Sequence, residues 1–156
     1  MPETSCCQVL INCLEGDTKH YSSAKTVHEE QKKELRMDQL RGKKEYCFAH
    51  LEKIRPDTEK KCSDSLVRIC DDGRNYFVEL KGNGIPVKRA IEQITAGIEF
   101  ATKRKLSLSR NGLYGVIVGG RMPGTTEWNK LRTNFRKNDG RDLIRTHKYY
   151  SIPLNH

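Results

Sequence analysis

No stretch of the chain approaches the roughly 18–20 consecutive apolar residues of a membrane-spanning helix, so no membrane association is expected. The beginning, MPETSCCQVLINCLEGD, has no basic segment ahead of its short apolar run, so no secretory signal is expected either. The six cysteines (6, 7, 13, 47, 62 and 70) include no Cys-x-x-Cys pair. Cys6, Cys7 and Cys13 with His20 fit no zinc spacing. Reduced thiols in a cytoplasmic protein are the expectation. Internal repeats and low-complexity tracts are absent. None of the five histidines stands with a Cys or Ser as a nucleophile–base couple, which argues against covalent catalysis.

Acid is scarce in one half only. Residues 1–80 hold fourteen Lys+Arg against fifteen Asp+Glu, and residues 81–156 hold fifteen against five. The whole excess of the +9 net charge therefore lies from Lys81 onward. Such asymmetry favours a polyanionic partner, nucleic acid before membrane; a solubilising surface is the bland alternative. With 156 residues, 31% of them charged, the chain suits a single domain with a heavily charged surface.

Residues 6–14 are apolar but short, and fit strand or helix. Thr26 and Glu29 have the spacing of a capping box, which predicts a charged helix over 26–41. Residues 45–54 read as a first strand, with a helix as the alternative. Asp72-Gly73 between two apolar runs predicts a hairpin of strands 64–71 and 74–81 on a two-residue type I′ turn. Gly82-Asn83-Gly84 should end the second strand, and Pro86 suits a first helical turn. Val87, Ala90, Ile91, Ile94, Ile98 and Ala101 then repeat at helical spacing. Residues 113–120 read as a buried strand, 125–137 as a basic helix around Trp128, Leu131 and Phe135, and 142–150 as a last strand. The order α-β-β-β-α-β-α-β predicts an α/β fold, a mixed sheet with helices on both faces.

The hairpin carries the chemistry. A two-residue loop sets Asp71 opposite Arg74, Leu66 opposite Glu79 and Asp64 opposite Lys81. Side chains alternate with period two, so Asp64, Glu79 and Lys81 share a face at the end far from the turn. Two close carboxylates repel unless a cation lies between them. Hard oxygen ligands in modest number suit Mg²⁺, with the Leu80 carbonyl able to add a ligand. A neighbouring lysine can orient water or stabilise developing charge. Alternatively, Asp64 and Lys81 form a cross-strand ion pair, contributing about 0–1 kcal/mol if exposed. Glu-x-Lys by itself is uninformative, since the chain has three. Glu30-Gln31-Lys32 falls in the charged helix and Glu59-Lys60-Lys61 in a polar loop. Glu79-Leu80-Lys81 alone ends an apolar strand.

KCSDSLVRICDDGRNYFVELKGNGIPVKRAIEQI, extended by GVIVGGRMP, resembles the PD-(D/E)XK nuclease superfamily over about half the chain. The resemblance implies a restriction-endonuclease-like αβββαβ core, a mixed central sheet flanked by helices. It places the metal-binding Asp on Asp64 and the (D/E)XK motif on Glu79 and Lys81. Similar proteins add a Glu from the first helix, here Glu30 or Glu34, and some a Gln after the motif, here Gln93. The literal Pro-Asp is Pro56-Asp57, whereas Ser63 precedes Asp64; the register argues for Asp64. The implied activity is Mg²⁺-dependent hydrolysis of DNA, with Mn²⁺ able to substitute, leaving a 5′-phosphate and a 3′-hydroxyl. Asp64, Glu79 and Leu80 are the expected metal ligands, and Lys81 the residue that assists the attacking water. Lys88, Arg89, Lys103, Arg104, Lys105, Arg121, Lys130 and Arg132 are expected to grip the backbone without reading sequence. A homodimer would bring two sites to two strands. A Holliday-junction-resolvase-like enzyme and a non-catalytic nucleic-acid-binding module of the same fold are the alternatives.

Overall fold

The computed structural model describes residues 6–155. Of the two options for residues 6–14, the helix is observed: α1 (Cys6–Leu14) buries Cys6, Leu10 and Leu14 along one side. A short strand, β1 (Tyr21–Ser22), follows.

The charged helix expected over 26–41 is not formed. Its residues make β2 (Val27–Glu30) and β3 (Lys33–Arg36), an antiparallel hairpin. Gln31 and Lys32 join the strands with φ of 55° and 62°, the sense of a primed turn whose twist matches the strands. The cause lies in the burial pattern. Lys33, Leu35 and Met37 alternate inward with period two, and no repeat at three and four residues offers a helix a face to bury.

Residues 45–54 divide into β4 (Tyr46–Ala49) and the single turn α2 (Leu51–Ile54). Then come β5 (Ser65–Ile69) and β6 (Asn75–Pro86). β6 does not stop at Gly82-Asn83-Gly84 but continues to Pro86, its pairing interrupted after Lys81. Pro86 therefore precedes α3 (Val87–Lys103) instead of lying in its first turn. β7 (Leu113–Arg121) and α4 (Thr125–Asn138) fall where the sequence places them. The last segment divides into β8 (Asp142–Thr146) and β9 (Tyr149–Ser151), which belong to different sheets.

The larger sheet has the order β1-β4-β5-β6-β7-β8, antiparallel from β1 to β6 and parallel from β6 to β8. α3 and α4 are the crossovers between the parallel strands. Leu10, Leu66, Phe77, Ile94, Ile117 and Phe135 fill the core between one face of this sheet and α1, α3 and α4. The other face is not covered by helices, as expected, but by the smaller sheet β2-β3-β9. There Tyr76, Val78 and Val116 pack on Leu35, Met37 and Ile152. The protein is thus a mixed α/β fold of helices, mixed sheet and small sheet. Among the described residues no helix is long and apolar enough to cross a membrane.

Four cysteines are bridged, not reduced. Cys6–Cys70 and Cys7–Cys47 tie the start of α1 to the end of the β5–β6 hairpin and to β4, with Cα separations of 5.8 and 5.1 Å. Cys13 and Cys62 remain free. Spacing along the chain carries no information on such pairings.

The β5–β6 ladder differs from the expected register by two residues. Leu66 faces Phe77 instead of Glu79, and Arg68 faces Asn75. Ile69 N–H donates to Arg74 O (2.8 Å) and Gly73 N–H to Ile69 O (3.1 Å), closing a four-residue loop over 70–73. Of Asp72 and Gly73, glycine alone has positive φ (74°), so this is no type I′ turn. Asp72 instead accepts hydrogen bonds from the Arg74 backbone N–H and Nε. Asp71 consequently does not face Arg74. A slip of two residues keeps every side chain on its own face, so Asp64, Glu79 and Lys81 still point together. Asp64 now arrives beside Glu79, one residue beyond the Ser65–Val78 pair.

Candidate active site

The three side chains meet in an open cleft of about 750 Å³ at the carboxyl end of the paired part of β6. Its walls include Glu30 from β2, Asp64 before β5, Glu79 and Lys81 on β6, and Arg89 and Gln93 on α3. Two reciprocal contacts fix the acids. Asp64 N–H donates to Glu79 Oε1 at 2.9 Å, and Leu80 N–H donates to Asp64 Oδ2 at 2.8 Å. Each carboxylate is thereby held by the other strand's backbone, with no long side chain left to orient itself. Glu79 is 1% exposed, and its Oε2 lies 2.7 Å from Lys81 Nζ. The ammonium therefore pairs with Glu79 two residues along the same strand, not across strands with Asp64.

Glu30 completes the cluster from the opposite layer. It was expected on a helix; it lies at the exposed end of β2, beside the primed turn, and lines the cleft with Asp64. Burial, then the charge of Glu79, pushes Asp64 up to about 7. Partial burial, then the charge and hydrogen bond of Asp64, pushes Glu30 up to about 7. Burial raises Glu79 as well, opposed by the Lys81 ammonium. Gln93 is buried in α3, and its Oε1 has no hydrogen-bond partner among the described residues. Arg89, one turn earlier on the same side of α3, reaches the same cleft.

Some contributors are invisible to motif reasoning. A Cβ on Gly119 (φ 92°) would stand 2.1 Å from Lys81 O, so only glycine lets β7 pass this close to the lysine. Arg145 Nε and Nη2 cap the Gly119 and Gly120 carbonyls at 3.1 and 2.9 Å. The buried Lys33 reaches Asn83 Oδ1 (2.7 Å) and His147 O (3.1 Å), tying the β2–β3 hairpin to the end of β6. The Gly-Gly pair ending a buried strand was the one available signal.

The other candidates are dispersed. Glu34 lies on β3, paired with Arg36 at 2.8 Å and away from the cleft. Asp57 is exposed in the loop after α2 and does not line it. Leu80 lines the cleft and holds Asp64 through its N–H. Lys88 and Arg89 are exposed at the start of α3, whereas Lys103, Arg104 and Lys105 lie at its far end, about 20 Å along the axis. Arg104 pairs with Glu59 at 2.5 Å and stacks on Phe100. Arg121 donates to Gly84 O at 3.1 Å. Arg132 grips both oxygens of Asp142 at 2.9 Å. Lys103, Lys105 and Lys130 face solvent. The basic residues therefore form no single stripe, and Arg104 and Arg132 are committed to internal ion pairs.

Among the described residues, no group of three or more His, Cys, Asp or Glu is disposed to hold a metal ion as it stands. Asp64 and Glu79 are held by backbone N–H groups, and Glu79 also by Lys81. Compared with family models, curated proteins and solved structures, the chain matches none.

Proposed function

We propose that the cleft is the active site of a divalent-cation-dependent nuclease of the PD-(D/E)XK kind, acting on DNA. The observation that carries this is the meeting of Asp64 and Glu79 in one open cleft, locked by reciprocal backbone hydrogen bonds with Glu30 on the same wall, while among the described residues Lys81 alone makes an ion pair with any of the three. With β1–β3 and the single turn α2 set aside, the succession α1-β4-β5-β6-α3-β7 supports it by following the α-β-β-β-α-β order that the sequence resemblance implies.

The donor set fits a hard cation. Its ligands would all be oxygens, and the cleft is open to water. Asp64 and Glu79 would hold Mg²⁺ or Mn²⁺, with the Leu80 carbonyl beside them. A bound cation supplies Lewis acidity to a phosphoryl oxygen and lowers the pKa of water. The rest falls to the chain. Lys81, its side chain 13% exposed at the cleft, releases Glu79 and turns to the attacking water or the developing charge. The unpartnered Gln93 Oε1 accepts a hydrogen bond from that water. Arg89 and Lys61, both lining the cleft, hold the phosphate on either side.

The test is incubation of purified protein with plasmid in Mg²⁺ or Mn²⁺, with and without EDTA. Cleavage that EDTA abolishes, lost in Lys81→Ala with folding intact, is the expected result. The direct Lys81–Glu79 contact favours one other reading, in which the pair is structural and the domain binds nucleic acid without cutting. Binding with no cleavage in either metal would assign that role.

A further inference from the structure

The outer face of α4 takes no part in the cleft. Thr126, Asn129, Lys130, Thr133, Asn134 and Lys137 recur at spacings of three and four, so they form one stripe. All six are exposed, and together they line a shallow depression of about 460 Å³. The helix is anchored from its other side. Phe135 is buried, Trp128 packs against the core, and Arg132 is tied to Asp142. Glu127, in the first turn, is the helix's one acid. A solvated helix face ordinarily mixes both signs of charge. This stripe has two lysines, two amides and two hydroxyls, and its one acidic neighbour on the helix is Glu127, at its edge three residues before Lys130.

We propose that this face of α4 enters the major groove of duplex DNA. The proposal rests on the nuclease reading for its class of partner and narrows it to the duplex. Lys130 and Lys137 complement phosphate charge, and the amides of Asn129 and Asn134 are suited to base edges, adenine above all. Asn134 Oδ1 accepts from Asn138 Nδ2 at 2.6 Å, which leaves its NH₂ to donate. The threonines are short, so the backbone can approach closely. A helix is about 10–12 Å across and the major groove of B-DNA about 12 Å wide, whereas side chains cannot read the deep, narrow major groove of A-form RNA. A single strand would call for exposed rings on which bases stack. The helix's two aromatics, Trp128 and Phe135, turn to the core instead. Placement agrees: α3 and α4 both begin at the carboxyl ends of parallel strands, the edge of the sheet that carries the cleft.

The experiment is fluorescence anisotropy of the full chain with a short labelled duplex, in EDTA so that no strand is cut. Lys130→Ala/Lys137→Ala should weaken binding about tenfold and reduce the slope of log affinity against log salt by about 1.8, since each phosphate contact contributes about 0.9. Asn129→Ala/Asn134→Ala should leave that slope unchanged and flatten the preferences recovered from a pool of randomised duplexes. All four positions are exposed, so melting serves only to confirm folding. Wild-type affinity and slope in the lysine variant would overturn the proposal, as would tighter binding of wild type to a single strand or an RNA duplex. Cleavage in Mg²⁺ is read separately. Binding lost in the variants while wild type never cuts supports the face and sinks the nuclease. Cutting by wild type while the variants bind unchanged sinks the face and spares the nuclease.

Discussion

The β5–β6 hairpin buries ionisable groups at both of its ends, and the two ends treat them oppositely. At the turn, Asp72 meets Arg74 and Lys44 at 3.0 and 2.8 Å. Arg74 is wholly buried and also donates to Tyr76 Oη and to the carbonyls of Pro153 and Leu154. Partial burial of Asp72 works to raise its pKa, but hydrogen bonds from Arg74 and Lys44 outweigh it and hold the group at about 2. At the open end, of Glu30, Asp64 and Glu79 only Glu79 makes an ion pair among the described residues, with Lys81, and burial with like charge pushes Asp64 and Glu30 up to about 7. The same residue types thus make a matched ion-pair clamp at one end, and at the other a cluster of carboxyls of which one is ion-paired.

Removing a partner should separate the two ends most sharply. Arg74→Ala leaves Asp72 with Lys44 alone and strands three acceptors, and should cost about 3–5 kcal/mol in chemical denaturation. The clamp's loop is also cross-linked. Replacing Cys6 and Cys70 together by Ser should cost about 2–4 kcal/mol, measured the same way without reductant. At the open end the sign reverses. Asp64→Asn removes a source of repulsion and should raise the melting temperature in EDTA at pH 8, with a change within about 1 kcal/mol, while abolishing cleavage.

The ends should also part with pH. Asp72 binds its proton less readily folded than unfolded, so its contribution is complete above the ordinary value of 3.8 and lost as pH falls towards 2. Asp64 and Glu30 are raised from 3.8 and 4.5 to about 7, so the folded state binds more protons between those values. Stability from them is present at low pH and lost as pH rises through about 7. Melting followed from pH 5 to 8 in EDTA should therefore decline in wild type and flatten in Asp64→Asn. The smallest effect belongs to Asp57→Asn, exposed and outside the cleft: neither melting nor cleavage should move.

These two ends were unequally legible in the sequence. Asp64, Glu79 and Lys81 came out on one face because strand alternation survives an error of two residues. The turn that was meant to fix the register was misjudged, since the Asp72 side chain can bond Arg74 only when the loop is longer. α3, β7 and α4 were readable from periodicity and a continuous apolar run, which report burial directly. The β2–β3 hairpin was hidden because Gln31 and Lys32 adopt positive φ without glycine or asparagine to announce it. Glu30, expected from a helix, accordingly reaches the cleft from a strand. The disulfides, the small sheet and the Arg145 cap depend on contacts far apart in sequence, where local pattern is silent.

The central claim is that positive charge missing from the cleft is supplied by a divalent cation at Asp64 and Glu79. Titration calorimetry of Mn²⁺ into the protein at pH 6, in two buffers of different ionisation enthalpy, tests it most directly. The account predicts binding with release of about one proton per ion, because ligands must deprotonate to bind, and no such binding by Asp64→Asn. Uptake without proton release, or equal uptake by Asp64→Asn, would contradict it.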